Sequence, residues 1–232
     1  MRLWGFAIVL GCILLGGCQG RPFPNLDQSD QDLGHQIQQL GDWAGSNGAP
    51  HWNGSVEPKL ALLALRFQLY APTDSVKLDL ALRHFVFDTL GWKVLEGDST
   101  ASPAVVLAGG AGDCASLAAL IAALGERVHV RYRVLELPGH VVLKGPSGIN
   151  LETRHAGLAR SDSFYQTHFA VSVASLVPKP PEFLLADLLV NAGADLASRG
   201  HWEEAETAWT QALRLNPNQA EARRNQIRLH QQ

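Results

Sequence analysis

Three residues in the middle of the chain have the types and the order that nucleophilic chemistry at an acyl group needs: Cys114, His140 and Glu152. In such a set the thiolate attacks a carbonyl carbon, the imidazole takes and returns the proton, and the carboxylate orients the ring. Each residue also has a plain structural interpretation, as a small buried thiol, a turn histidine and an exposed strand carboxylate. Their joint occurrence favours the catalytic interpretation.

The segments around these residues predict how they are positioned. A glycine-rich turn precedes Cys114, and residues 115–124 are apolar helix formers, which predicts a helix buried on all sides and ended by Gly125. Alternating apolar residues predict strands over 128–137 and from 141 onward, separated by a Pro-Gly turn, with a further strand over 149–153. A helix followed by consecutive strands predicts an α+β domain with an antiparallel sheet.

Two polar neighbours are candidate supporting or substrate-binding residues. Asp113 is expected to cap the helix that starts at Cys114. Asn150 has two open interpretations, as a hydrogen-bond partner of His140 or its loop, or as a solvent-facing residue of an edge strand.

The protonation state of Cys114 depends on opposing effects. The helix N-terminus and a protonated His140 favour the thiolate, whereas burial and the charge of Asp113 oppose it. A histidine ion pair in a dry cleft outweighs a helix-end effect. We therefore expect a thiolate at neutral pH, with Asp113 as a modest correction.

The N-terminus predicts export and lipidation. Arg2 precedes an uncharged apolar run over residues 3–15, which is too short to span a bilayer but has the size of a signal's hydrophobic region. The sequence Leu-Gly-Gly-Cys that ends at Cys18 resembles the bacterial lipobox, so residues 1–17 are predicted to be removed and Cys18 to be acylated. A buried N-terminal helix is the alternative. Removal of Cys12 with the signal would leave Cys114 as the free thiol, with no internal disulfide.

Residues 18–55 are rich in Gln, Asp, Gly, Asn and Pro, which predicts a lipidated N-terminus and flexible tether, with a short helix possible around Leu33, Ile37 and Leu40. Helices are predicted from Glu57 to Tyr70 and from about residue 73 to 90, followed by a long loop over 92–111. The domain with the candidate triad is assigned to residues 56–178.

Residues 179–232 have the spacing of a tetratricopeptide-type helical unit. Small residues and a tryptophan recur at the offsets where two antiparallel helices touch, with Gly193 and Trp209 among them and Pro217 after the second helix. A third helix is predicted over 220–230. Because one repeat cannot bury its own face, we expect this unit to pack on the preceding domain, or else to complete itself on a protein partner.

Composition excludes several classes of protein. The 232 residues are 46% hydrophobic and 18% charged, with a net charge of -3 and a mean hydropathy of -0.01. These values argue against a disordered chain and against a polytopic membrane protein. The negative net charge gives no positive electrostatic field that would attract nucleic acid. The dispersed histidines form no HExxH motif or Cys/His pair, so no metal site and no cofactor are expected.

Taken together, the runs Gly112-Asp113-Cys114-Ala115-Ser116-Leu117, Leu137-Pro138-Gly139-His140-Val141 and Asn150-Leu151-Glu152-Thr153 resemble the bacterial transglutaminase-like family. The resemblance covers roughly residue 57 to the C-terminus. It implies a papain-related cysteine-hydrolase core, with helices packed on an antiparallel sheet, followed by an all-α tetratricopeptide-type hairpin. It also implies Cys114 as nucleophile, His140 as base and Glu152 as orienting acid, while Asp113 stands where relatives commonly carry Asn.

The function expected from the residues and the resemblance is cysteine-dependent amide hydrolysis or acyl transfer on a peptide or protein of the cell envelope. The chain would be held on the membrane through Cys18, at the outer membrane facing the periplasm because Gln19 follows the cysteine. The alternative from another class is a non-catalytic envelope lipoprotein that binds a peptide or protein in the cleft and helical repeat.

Overall fold

The chain folds as a mixed α+β protein in which helices surround a small antiparallel sheet. The structure is a computed structural model that describes four stretches of the chain, residues 21–26, 31–95, 101–172 and 176–231. The predicted signal segment and Cys18 lie outside these stretches. No helix in the described part combines the length and the apolar character that crossing a membrane requires.

The helices of the described part are labelled in chain order. Helices α1 to α9 span Leu33–Ser46, Val56–Gln68, Ser75–His84, Pro103–Gly109, Cys114–Arg127, Asp162–Phe169, Phe183–Ser198, Trp202–Leu215 and Ala220–Leu229. A π-helical turn, Phe85–Thr89, continues α3, and 3₁₀ turns occupy Pro50–Trp52 and Thr153–His155.

The strands form two separate sheets. Strands β1 to β6 span Lys93–Val94, Ala111–Gly112, Arg133–Leu137, His140–Lys144, Asn150–Glu152 and Leu158–Arg160. The first two form a short parallel pair, and the other four form an antiparallel sheet in chain order, β3-β4-β5-β6. The antiparallel sheet expected from the sequence is therefore present. The segment 92–111, predicted as a loop, contains α4 as well as β1 and β2.

Helix α5 is the centre of the structure. Its residues 115–125 are all buried, as their apolar composition predicts, and α1, α2, α4, α7 and β4 contact it. The helix runs to Arg127 and does not end at Gly125. A Cβ atom on Gly125 would lie 2.6 Å from the carbonyl oxygen of Val130 and 2.9 Å from the ring of Tyr132. The glycine therefore permits close packing inside the helix, and the strand expected from residue 128 begins only at Arg133.

Part of the segment predicted as a flexible tether belongs to the core, which corrects that prediction for residues 33–52. Helix α1 buries a helically spaced set of apolar side chains, Leu33, Ile37, Leu40, Trp43 and Ala44. Two hydrogen bonds connect α1 to other segments: Glu126 accepts from the Leu33 backbone N–H at 2.9 Å, and the Gln36 amide donates to the Leu26 carbonyl at 2.9 Å. Few apolar residues suffice here because they share one face.

The C-terminal helices pack on the same core. Side chains of α7 join the apolar cluster that contains α5 and α1. Trp209 of α8 is 4% exposed, and its indole N–H donates to the carbonyl of Val190 at 3.3 Å. A Cβ atom on Gly193 would lie 2.4 Å from the indole nitrogen, so glycine is needed for α7 and α8 to approach. The expected burial of Trp209 between the two helices is confirmed.

We predict that Trp209→Ala lowers the free energy of unfolding by about 3–5 kcal/mol, because it leaves a cavity in the shared core. The matched control is Trp202→Ala at the exposed start of α8, where the side chain is 43% exposed and a change within about 0.5 kcal/mol is expected. Denaturant unfolding of both variants measures the difference. Equal stability losses would show that α7 and α8 are not held by this tryptophan.

Candidate functional site

Cys114 is the first residue of α5, and its side chain is partly exposed. The chain reaches it through β2 and Asp113, which has the extended backbone conformation of an N-cap. The helix starts here because the Asp113 carboxylate accepts a hydrogen bond from the backbone N–H of Ser116 at 2.8 Å. Cys114 is the free cysteine of the described part.

The surroundings of the thiol oppose its ionisation. Burial is the largest effect, followed by the negative charge of Asp113, and together they raise the pKa of Cys114 to about 11. Arg154 and the backbone N–H of Val141 act in the opposite direction, and the charge of Asp187 adds to the increase. The expectation of a thiolate at neutral pH is therefore not supported, because desolvation outweighs the favourable partners.

His140 and Glu152 form a buried pair. The Nε2 atom of His140 lies 2.7 Å and 2.9 Å from the two carboxylate oxygens of Glu152. The two side chains meet because β4 and β5 pair with Leu143 opposite Leu151, which puts both on the same face of the sheet. Glu152 is 2% exposed, so its interpretation as an exposed strand carboxylate does not hold.

The pairing decides which nitrogen of His140 can act as a base. A neutral ring that donates its Nε2–H to Glu152 has the Nδ1 lone pair free to accept a proton. Nδ1 is buried and has no hydrogen-bond partner among the described residues. The thiol of Cys114 interacts with the N–H of Val141, one residue further along β4.

The structure thus joins His140 to Glu152 but does not join Cys114 to this pair. His140 lies on the sheet face of Leu137 and Val142, which packs with Tyr165 of α6. Val141 lies on the other face, which packs with α5 and Cys114.

Several groups keep Glu152 ionised. Burial alone would raise the pKa of this carboxyl, but the hydrogen bond and charge of His140 and the backbone N–H of Arg154 outweigh it and hold the pKa below its usual range. The Arg154 N–H donates at 3.0 Å, and the hydroxyl of Tyr165 donates to the other carboxylate oxygen at 3.4 Å. An ionised Glu152 can hold the ring orientation and stabilise an imidazolium.

Helix α6 supplies two contacts that sequence reasoning missed. Tyr165 is fully buried and bonds Glu152, and the ring of Phe169 stacks on His140 with centroids 5.8 Å apart and an interplanar angle of 12°. The sequence signal for these contacts is the spacing of Tyr165 and Phe169, which are four residues apart and therefore share one face of the helix. These contacts hold the ring on the sheet face opposite to α5.

Asp113 and Asn150 support the fold around the site. The second oxygen of Asp113 accepts from the Ala101 N–H at 2.8 Å, so the carboxylate ties that segment to α5, and burial raises its pKa although these bonds lower it. The amide of Asn150 donates to Asp162 at 2.6 Å. Its side chain is therefore a partner of α6 and not of the His140 ring, and it is buried, not solvent-facing.

Other features of the described residues do not extend the site. Within residues 21–26, 31–95, 101–172 and 176–231, no group of three or more His, Cys, Asp or Glu side chains is arranged to hold a metal ion. An open surface pocket of about 720 Å³ is lined by residues of α1 and of the segment 50–58, and none of the predicted site residues borders it.

Comparison with known proteins adds no assignment: the chain matches no protein-family model, no curated protein and no solved structure.

We predict that alkylation of Cys114 by iodoacetamide still accelerates with pH at pH 10, because a thiol with a raised pKa remains mostly protonated up to that point. Asp113→Asn should speed alkylation at pH 8 by about two- to fivefold, since it removes a negative charge while Asn still caps the helix. Asp88→Asn, at an exposed site, is the control. Mass spectrometry of the Cys114 peptide gives the rates, and a plateau below pH 8.5 would contradict the prediction.

Proposed function

We propose that this chain is a cysteine-dependent amide hydrolase or acyltransferase of the transglutaminase-like type, acting on a peptide or protein of the cell envelope. The observation that carries the proposal is the buried His140–Glu152 pair, with Nδ1 unbonded and the Cys114 thiol beside the next residue of the same strand. A neutral imidazole backed by a carboxylate is the usual general base for a thiol nucleophile.

The raised pKa of Cys114 favours proton transfer during attack over a preformed ion pair. As the sulfur forms its bond to the substrate carbonyl carbon, the thiol proton passes to Nδ1 of His140. This step requires the imidazole to reach the α5 side of β4, because its ring lies on the sheet face that α6 covers. Glu152 stabilises the imidazolium, which then gives the proton to the departing amine as the C–N bond breaks. A thioester on Cys114 remains, and water or an amine releases the acyl group by attack at the same carbon.

Few backbone N–H groups near the Cys114 sulfur are free to donate a hydrogen bond to an oxyanion. Asp113 already occupies the N–H of Ser116, so this amide of the helix N-terminus is not available to an oxyanion. The N–H of Val141 lowers the pKa of the thiol, so it is a candidate donor to the negative charge that develops during attack.

The second candidate function is a non-catalytic binding lipoprotein with the same cleft. The observation that favours it is the protonated, partly buried thiol, because a reactive cysteine usually has a lowered pKa. In this case His140 and Glu152 are a buried structural pair and have no part in chemistry at Cys114.

Acylation of Cys114 separates the two functions. With p-nitrophenyl acetate at pH 7, we expect His140→Ala to slow acetylation of Cys114 by about 100-fold or more, since removing a general base costs that much. His230→Ala, at an exposed position after α9, is the control and should leave the rate unchanged. The mass of the Cys114 peptide over time is the measurement. Equal rates in both variants and the wild type would favour the binding protein.

We further propose that the chain is a lipoprotein anchored at Cys18 to the outer membrane and facing the periplasm. A fatty-acid probe supplied to cells should label the wild type and not Cys18→Ser, because the acyl chains attach to that cysteine. Cys12→Ser should still be labelled and serves as the control. Equal labelling of the wild type and Cys18→Ser would exclude the anchor.

A further inference from the structure

Helix α2 has two apolar faces, of which one packs on the core and the other is exposed. The buried face consists of Val56, Leu60, Ala64 and Phe67. The exposed face has leucines at i, i+3 and i+7 and a tyrosine directly after them, and each of these side chains is between 59% and 81% exposed. We call this set the α2 face; it consists of Leu62, Leu65, Leu69 and Tyr70. A contiguous exposed apolar set of this kind is typical of an interaction surface.

The charged groups that accompany the α2 face are cations. Lys59 and Arg66 are exposed on the same helix. Glu57, the acid of α2, pairs instead with Arg127 of α5. The next acid along the described chain, Asp74, pairs with a lysine of α3. The α2 face is therefore complementary to a partner with a negatively charged surface and an apolar interior.

A second copy of this chain does not have those properties. In a twofold dimer the same patch meets itself, so Lys59 and Arg66 would approach the same cations of the other copy. Four side chains also offer much less than the about 800 Å² that each partner buries in a stable interface. A bilayer with anionic headgroups supplies both the negative charge and the apolar interior.

The N-terminal segment limits how far an anchored chain can be from a bilayer. The Arg21 carbonyl accepts a hydrogen bond from the side-chain amide of Asn47 at 3.4 Å, and the rings of Phe23 and Trp43 have centroids 4.9 Å apart. Arg21 follows Cys18 by three positions, which is a reach of about 10 Å even in a fully extended chain. A chain acylated at Cys18 must therefore keep one face near the headgroups. The helix that holds this segment, α1, also packs on α2.

We propose that the α2 face is a membrane-contact surface, which inserts its leucines into a bilayer with anionic headgroups. Lys59 and Arg66 bind the lipid phosphates, and Tyr70 lies at the boundary between headgroups and acyl chains. This inference rests on the proposed lipid anchor, because the anchor brings the chain to a bilayer. It does not depend on the proposed chemistry at Cys114.

Hydroxyl-radical footprinting of the full chain in lipid vesicles tests the proposal. Trypsin cleaves after Lys59, Arg66 and Lys77, so peptides 60–66 and 67–77 contain the α2 face. At low ionic strength, we expect oxidation of both peptides to be about threefold or more lower in vesicles with equal amounts of phosphatidylcholine and phosphatidylglycerol than in phosphatidylcholine alone. About 0.5 M NaCl should restore the oxidation, because it screens the headgroup charge. Peptide 200–214, with the exposed Trp202, is the internal control and should not change.

Substitutions of exposed residues, which leave the core intact, identify the side chains responsible. The double variant Leu62→Gln/Leu65→Gln should lose the decrease at peptide 67–77, whereas Ile227→Gln, at an exposed position of α9, should retain it. Unchanged oxidation of peptide 60–66 in the anionic vesicles overturns the proposal and leaves the α2 face to a protein partner. A decrease that follows the density of the chain and not the lipid charge indicates a second copy and also overturns it.

The variant Cys18→Ser separates failure of this inference from failure of the anchor. With excess anionic lipid it should show the same decrease in oxidation, because binding then does not need the tether. If Cys18→Ser keeps the fatty-acid label but peptide 60–66 is protected, the anchor proposal is wrong and this inference holds. If the label depends on Cys18 but peptide 60–66 is not protected in the wild type, the anchor holds and this inference is wrong.

Discussion

The burial of α5 on all sides is the constraint on which the rest of the structure depends. Its apolar residues contact α1, α2, α4 and α7 as well as β4, so the position of its first residue is fixed from several directions. Asp113 anchors that end further by binding amides of both the helix and residue 101. Cys114 is therefore held in place by packing and by a cap, while its side chain stays partly exposed.

The same burial has opposite consequences for the groups around the thiol. It strengthens the bond between His140 and Glu152, because a charge-assisted hydrogen bond gains in a medium of low dielectric constant. It also disfavours the thiolate, which has no comparable partner, and so raises the pKa of Cys114. The helix N-terminus alone therefore does not lower the pKa of this thiol.

The C-terminal helices are part of this arrangement. Helix α7 contributes to the core that surrounds α5, and the backbone of Lys179 pairs with that of Val134, with N–H to carbonyl distances of 2.8 Å in both directions. The Lys179 ammonium also pairs with Glu136 of β3. A helical hairpin alone would leave an apolar face in water, and packing of α7 on α5 and α1 removes that face.

The sequence by itself determined the elements whose signal is local. The apolar run after Cys114 indicated a helix buried on all sides, the Pro-Gly turn indicated the β3-β4 hairpin, and the spacing of Gly193 and Trp209 indicated the contact of α7 with α8. The order of Cys114, His140 and Glu152 also selected two residues that the fold joins.

Only the tertiary structure decided the features that arise from distant parts of the chain. Helix α1 belongs to the core because one of its faces packs on α5, about 80 residues later in the chain. The hydrogen bond from Tyr165 to Glu152 depends on how α6 crosses the sheet. The protonation of Cys114 depends on how completely several elements exclude water and on a charge from α7. A local sequence pattern does not predict this desolvation, because it depends on all the elements that pack around the Cys114 sulfur.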